Sequence, residues 1–498
     1  MTAARIAGHR MRAMSRTALV IGAVVASSIL SVASMSACGS ATPTIPFETP
    51  PPPGTEGDGG IGSSGGGFGE GGSVEAGKPG CVGLQCQQHA CGAGASTTVS
   101  GVVYDPAGKN PLYNVVVYVP NAPVKDLPKG ATCDSCDSLY SGSPIVTTLT
   151  DAKGRFTLKD VPDGPNIPLV IQIGKWRRQI TIANVGQCVD NPQADHSLRL
   201  PKNTQEGDIP NIAISTGGSD SLECLLHRVG LDDTEYNGGS GGAGHLHIFQ
   251  GGPTGGIFGG GPNTSPPGPG SASGLWSSKA ELAKYDIVLL SCEGQETTSM
   301  NQQALSDYAS AGGRVFASHF HYSWFNSGPF GSANLASWSP GTNDLGDITS
   351  SIVTTLPSGA PFPKGVALQD WLTNVNALSG GKLAITSAKH NADVTAMHTA
   401  SQPWIKAESK SAGATEYFTF NTPTTAAPAM QCGRVVYSDL HVGAASGDYG
   451  GLNPTVPTGC ASGDLSPQEK ALEFMLFDLS SCVVPDSQPP APPTGGVK

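Results

Sequence analysis

Apolar and polar positions along the chain fall into two rhythms, separated by stretches with neither. Between Thr97 and about Leu200 short apolar runs alternate with polar residues and end at turns. Val99-Ser100-Gly101-Val102-Val103-Tyr104 stops at Asp105-Pro106-Ala107-Gly108, and Val115-Val116-Val117-Tyr118-Val119 stops at Pro120-Asn121. Thr147-Thr148-Leu149-Thr150 passes through Asp151-Ala152-Lys153-Gly154 into Arg155-Phe156-Thr157-Leu158. Leu169 to Ile173 and Arg178 to Ile182 close the series. β-Branched runs of this length, bounded by Asp, Gly and Pro, predict an all-β sandwich over 97–203.

From about Pro210 the rhythm lengthens. Ile212-Ala213-Ile214-Ser215 predicts a short strand, followed by a helix with Asp220 at its cap, Glu223 three residues on, and Leu222, Leu225, Leu226 and Val229 at helical spacing. Asp286-Ile287-Val288-Leu289-Leu290 is a continuous apolar run, as in a strand buried on both faces. A helix carrying Ala304, Leu305 and Tyr308 ends at Gly312-Gly313, and the strand Arg314-Val315-Phe316-Ala317 follows. Arg434-Val435-Val436-Tyr437 predicts another strand. Ser466, Pro467 and Glu469 open a last helix with Leu472, Met475, Leu476 and Leu479 on one face. Repeated strand–helix units predict an α/β, flavodoxin-like parallel sheet with helices on both faces over 210–482, interrupted by an insertion of about 323–412. The Pro-rich tail 483–498 is expected to be disordered.

The N-terminus has a different pattern again. Arg5, Arg10, Arg12 and Arg16 precede the apolar run Ala18 to Val32, which ends in Ser34-Met35-Ser36-Ala37 and then Cys38-Gly39. This is the order of a secretory signal peptide, 1–37, and the small residues before Cys38 resemble a lipobox. The resemblance implies lipidation at Cys38, export, and an anchor in the outer membrane facing periplasm or surface. Residues 38–80, Pro-rich and then Gly-rich, predict a tether, and 81–96 a Cys-rich entry segment.

Twelve cysteines in an exported chain predict disulfides. Setting Cys38 aside leaves an odd number, so at least one thiol is free or paired between chains. Cys133-Asp134-Ser135-Cys136 lacks the following helix that a redox pair needs and is expected to be structural. A net charge of −11, with no basic run after the signal, excludes nucleic acid as a partner.

Candidate chemistry clusters after three strands: Ser291-Cys292-Glu293-Gly294-Gln295, Ser318-His319-Phe320-His321 and Ser438-Asp439-Leu440-His441. Ligands of open parallel sheets sit beyond the carboxyl ends of the strands. If the last two strands are neighbours, His319, His321, Asp439 and His441 suit zinc or another divalent metal. Without metal, the same residues with Glu293 line a ligand pocket, and Trp324 beside it offers a ring for a glycan. Ser318, with His441 as base and Asp439 or Glu293 as orienter, is a further hydrolytic arrangement. Cys292 is either a nucleophile or a disulfide partner, with Cys224 or Cys432 as the expected mates.

Two stretches resemble known families. Val99 to Val103, Leu112 to Val117 and Thr150 to Phe156 look like the carboxypeptidase regulatory-like domain, which implies a transthyretin-like sandwich acting as spacer or binding module. Tyr285 to Leu290, then Leu305-Ser306-Asp307-Tyr308 with Ala311-Gly312-Gly313-Arg314-Val315-Phe316 and His319, resemble the ThuA-like and class I glutamine amidotransferase-like superfamily, with His441 fitting its later strand. In amidotransferases the nucleophile follows the strand after the Gly-Gly helix, where this chain has Ser318-His319, so Cys292 is not expected to make it a true amidotransferase. Three functions follow as expectations: a surface lipoprotein binding a small molecule or glycan, an exported hydrolase that is metal-assisted or uses Ser318 or Cys292, and a purely structural envelope protein.

Overall fold

In a computed structural model, residues 80–133, 136–251, 270–442, 456–457 and 460–493 are described. The signal segment, Cys38 and the tether lie outside them. Eight strands form the N-terminal part: β1 (Thr98–Tyr104), β2 (Val116–Pro120), β3 (Pro144–Leu149), β4 (Arg155–Lys159), β5 (Gly164–Ile173), β6 (Trp176–Val185), β7 (Asp190–Pro192) and β8 (Leu198–Arg199). One sheet runs β3-β2-β5-β6, and the other holds β4, β1, β7 and β8. Val99, Val103, Val117, Leu158, Leu169 and Ile171 meet between them. Alternation places these residues inside, because successive side chains of a strand face opposite ways. In β4 the exposure follows that alternation strictly, Phe156 and Leu158 inward and their neighbours out.

The remaining strands are β9 (Ile212–Ser215), β10 (Tyr236–Gly238), β11 (Leu246–Gln250), β12 (Gly270–Ser271), β13 (Ile287–Leu290), β14 (Arg314–Ser318), β15 (Ser337–Trp338), β16 (Asp344–Ile352), β17 (Leu378–Ser379), β18 (Lys382–Lys389), β19 (Ala392–Asp393), β20 (Ser401–Ala407), β21 (Thr415–Thr422) and β22 (Gly433–Ser438). Among them stand α1 (Leu222–Val229), α2 (Ala272–Leu275), α3 (Lys279–Leu282), α4 (Gln302–Ser310), α5 (Gly328–Gly331), α6 (Pro363–Asn374) and α7 (Pro467–Ser480). These strands correct the expected fold class. The sheet is twelve-stranded and mixed, in the order β10-β11-β9-β13-β14-β22-β21-β20-β16-β18-β17 with β12 beside β11, rather than a flavodoxin-like parallel sheet flanked by helices. Strands β10 to β22 along that order pair in parallel. From β22 onward every pairing is antiparallel. Strands β16, β17, β18 and β20, from the stretch read as an insertion, extend the sheet, and three of the seven helices among the described residues have only four residues.

Helix α7 ties the two parts together. Its start is the expected capping box: Ser466 accepts from the Glu469 amide, and Glu469 accepts from the Ser466 amide. Twelve of its fourteen residues are buried. Phe477 meets Trp176 of β6 edge-on at 5.7 Å, and Phe474 lies parallel to Tyr113 at 5.7 Å. Lys175 reaches Asp286 at 2.6 Å, giving the same junction an ion pair. The tail beyond α7 is placed as far as Pro493, where its carbonyl accepts from Thr147 at 3.2 Å, and Asp486 pairs with Arg434.

Among the described residues, four disulfides join Cys81–Cys86, Cys91–Cys188, Cys133–Cys432 and Cys224–Cys460. They are consistent with a chain that folds outside a reducing compartment. No described helix is long and apolar enough to cross a membrane.

Candidate metal centre at the strand ends

Strands β9, β13, β14 and β22 are consecutive neighbours running the same way, so their carboxyl ends open on one edge. Each delivers a polar side chain there: Asp220 from the turn after β9, Cys292 after β13, His319 after β14 and His441 after β22. The Cys292 sulfur lies 3.3 Å from His319 Nδ1, and the His319 and His441 rings are 5.2 Å apart. One donor atom from each of the three lies within 4.8 Å of the others. This group could hold a metal ion.

The arrangement departs from the expected one at two positions, for a local reason in each case. Strand β14 ends at Ser318, and 319–324 wind into a 3-10 helix. Residues two apart no longer share a face there, since each step turns about 120°. His321 therefore points away from His319, its Nδ1–H donating to the Ser318 carbonyl at 3.0 Å, with Nε2 3.9 Å from Glu293. Asp439 also turns aside. Its Oδ2 accepts from the amides of Asn391 at 2.7 Å and Ala392 at 3.2 Å, and Oδ1 lies 2.8 Å from the Tyr437 hydroxyl. The converging set is thus Cys292, His319 and His441, in place of His319, His321, Asp439 and His441.

Cys292 is a free, buried thiol. Its two expected disulfide mates are engaged elsewhere, Cys224 with Cys460 and Cys432 with Cys133. Ser318 does not face either imidazole as a nucleophile. Its hydroxyl donates to Asp220 at 2.8 Å and accepts from the Cys292 amide at 2.9 Å, which makes it a brace. Trp324 is fully buried, edge-on to Trp276 at 5.2 Å with its indole N–H toward Thr297, and offers no ring face to a glycan. Glu293 accepts from the Thr297 hydroxyl at 3.2 Å.

Burial sets the protonation of the centre. Desolvation pushes the Cys292 thiol up to about 12, against the pull of the Gly294 and Phe320 amides that point at the sulfur. It pushes His319 down to about 4 and His441 well below its ordinary range. The metal-free cluster is therefore a neutral thiol and two neutral imidazoles. A thiolate–imidazolium nucleophile needs both charges, and this site disfavours both. A bound cation would reverse the balance at sulfur and leave the imidazoles in the neutral form that ligation requires.

The outer contacts fit that form. His319 Nε2–H donates to the Thr342 carbonyl at 3.0 Å, leaving the Nδ1 lone pair facing Cys292. Such a donor bond on the far nitrogen is the usual way a ligating imidazole is oriented. His441 Nε2 is buried with no hydrogen-bond partner. The Gln468 amide, at the start of α7, donates to the His441 carbonyl at 2.8 Å. His319 sits at φ 47°, a left-handed conformation that costs a non-glycine residue about 1–3 kcal/mol. The Tyr437 hydroxyl, 2.7 Å from the His319 carbonyl, holds it there.

Sequence reasoning did not find Asp220, Thr342 or Tyr437 as parts of this site. Asp220 was expected to cap α1, yet Ser221 holds that position and the Asp220 carboxyl bonds the Val442 amide and Ser318 instead. The available signal was Gly217-Gly218 at the end of β9. A Cβ on Gly217 would lie 2.1 Å from the Cys292 carbonyl, so two strand-end turns pack there in contact.

No protein-family model matches the sequence, and no curated protein matches it significantly. Among solved structures, a type II cohesin–X-dockerin complex from Acetivibrio cellulolyticus is 17% identical, covering 29% of this chain and 76% of that chain at TM-score 0.14. BcpA, the major pilin subunit of Bacillus cereus, is 12% identical, covering 22% of this chain and 30% of that chain at TM-score 0.14. A 9R-lipoxygenase from Cyanothece is 13% identical over 21% of this chain and 16% of that chain at TM-score 0.11. Likeness at this level carries no argument about function.

Proposed function

We propose that this is an exported envelope protein, lipid-anchored through Cys38, that performs metal-assisted hydrolysis at Cys292, His319 and His441. The observation that carries the reading is the convergence of one thiol and two neutral imidazoles, from three adjacent strand ends, on one buried point. Zinc is the ion this donor set suits, since sulfur and imidazole nitrogen are its usual ligands and about 3.3–3.8 Å separates ligand atoms around a tetrahedral ion of that size. Three protein ligands leave a fourth position open, the pattern of catalytic rather than structural zinc. An ion there supplies Lewis acidity toward a substrate carbonyl or phosphoryl oxygen. The chain's own part is to hold the ligands: Thr342 orients His319, Gln468 fixes the His441 backbone, and Ser318 with Asp220 fixes the turn that carries Cys292.

Metal analysis of the full chain purified without chelator tests the reading, together with turnover of ester, amide and phosphoester substrates. The expected result is about one zinc per chain, lost in His441→Ala together with hydrolysis. A chain that neither retains nor rebinds zinc would end the metal proposal. A zinc-loaded chain that turns over none of these substrates would end the hydrolytic one.

A further inference from the structure

A second buried cluster lies where the sandwich meets α7. Asp105, in the turn after β1, and Glu473, on α7, are both almost fully buried. Asp105 accepts from the backbone amide of Lys109 at 2.7 Å, and the Gly108 and Asn110 amides also point at its carboxyl. Glu473 has one oxygen accepting from the Asn110 side chain at 2.7 Å, while the other has no partner except the Asp105 carboxyl.

The donor count assigns the proton. Burial raises both carboxyls, but the amides at Asp105 pull it back, so Glu473, with a single donor, is the better seat for the hydrogen. Nearby cations are committed elsewhere. Lys109 reaches Asp464 at 2.9 Å, Lys470 donates to the Val375 carbonyl at 2.7 Å, and Lys364 pairs with Asp478 at 2.6 Å. Arg228 pairs with Glu469. Of these, Lys470 on the same helix is close enough to act on Glu473 electrostatically. Ionising Glu473 would therefore set two carboxylates against each other with only Lys470, whose ammonium is bonded to the Val375 carbonyl, acting against them. Around them lie the contacts that join the two parts: Tyr113 against Phe474, and the Trp371 indole donating to the Pro111 carbonyl at 2.5 Å.

We propose that Asp105 and Glu473 share one proton across this junction and form a latch that holds the sandwich to α7 most tightly in acid and loosens as pH rises. Desolvation, and then the Asp105 charge, hold the Glu473 carboxyl well above its ordinary range. A carboxyl raised in the folded state contributes stability that is complete below its unfolded value and is lost as pH rises through its folded value.

The full chain and Glu473→Gln are compared by thermal unfolding from about pH 6 to about pH 9. The glutamine amide keeps a donor to Asp105 and an acceptor for Asn110 but cannot ionise. The natural chain should lose roughly 3 °C or more across that range relative to the variant. Amide hydrogen exchange over 105–111, corrected for its intrinsic pH dependence, should rise in the natural chain alone. Infrared spectroscopy supplies a readout if Glu473→Gln folds poorly: because Glu223 and Glu416 are also buried and raised, the test is a protonated-carboxyl band of the natural chain that shifts or is lost in Asp105→Asn. Parallel pH profiles in the natural chain and Glu473→Gln, or a carboxyl band identical in the natural chain and Asp105→Asn, would overturn the latch.

Discussion

Two buried polar clusters at opposite ends of α7 differ in charge pairing, although each keeps one buried nitrogen without a hydrogen-bond partner, Arg434 Nε in one and His441 Nε2 in the other. Toward its C-terminus, Lys364 pairs with Asp478 at 2.6 Å, and Arg434 reaches Asp478 and Asp486, each at 3.3 Å. The Arg434 guanidinium also lies over the Trp404 ring at 5.7 Å. Every charge there has an opposite charge beside it, which lowers Asp478 despite its burial. Toward the N-terminus of α7, Cys292, His319 and His441 are buried just as deeply, yet they carry no charge and His441 Nε2 has no partner. A closed cluster of this kind supports the fold. An open one, bearing donor atoms aimed at one another, has room in its chemistry for something from outside.

The contrast gives an ordered set of tests. Lys364→Met should be the most damaging, because it leaves Asp478 buried with only the longer Arg434 contact. Removing one partner of a buried pair costs about 3–5 kcal/mol, read by urea unfolding, and zinc affinity per folded chain should be unchanged. A loss below about 1 kcal/mol would mean that the closed cluster is not closed. Ser318→Ala should cost less, about 1–3 kcal/mol for the unsatisfied Cys292 amide and Asp220 carboxyl. It should also weaken zinc binding by about 10–100-fold, the usual price of a lost outer contact. Equal zinc affinity in that variant would show that the brace does not shape the centre. Smallest is Glu206→Gln in the sandwich. Arg199 grips Glu206 with two bonds of 2.6 Å and holds its carboxyl down at about 2. Stability from that pair is complete above the ordinary glutamate range and is lost as pH falls toward about 2. The variant should lack this portion of the acid-side loss in thermal unfolding, with no change at the strand-end centre.

Legibility in the sequence followed how local each signal was. The sandwich strands could be read because alternation and turn residues act within a few positions, as at Arg155 to Lys159. Helix α7 could be read because Ser466, Pro467 and Glu469 form its cap among themselves. The mixed sheet could not. Strand β16 joins it through partners roughly thirty to sixty residues along the chain, β18 and β20, and β20 and β21, though a hairpin, are buried nearly throughout, which erases the alternation of a half-exposed strand. The candidate site was legible by address and not by composition. All of its donors stand at the three predicted strand ends, but only the 3-10 turn after Ser318 excludes His321. Only the disulfides of Cys224 and Cys432 with other partners leave Cys292 free.

The Cys133–Cys432 bond closes a loop of 299 residues between the sandwich and the strand preceding the last third of the site. Its second cysteine is synthesised only after nearly all of the preceding fold. Oxidation there is therefore a late event, following the synthesis of β14 and of every strand up to β21. Once formed, it changes what damage can do. A protease that cuts once anywhere between the two cysteines yields two fragments still held as one particle, separable only by a reductant.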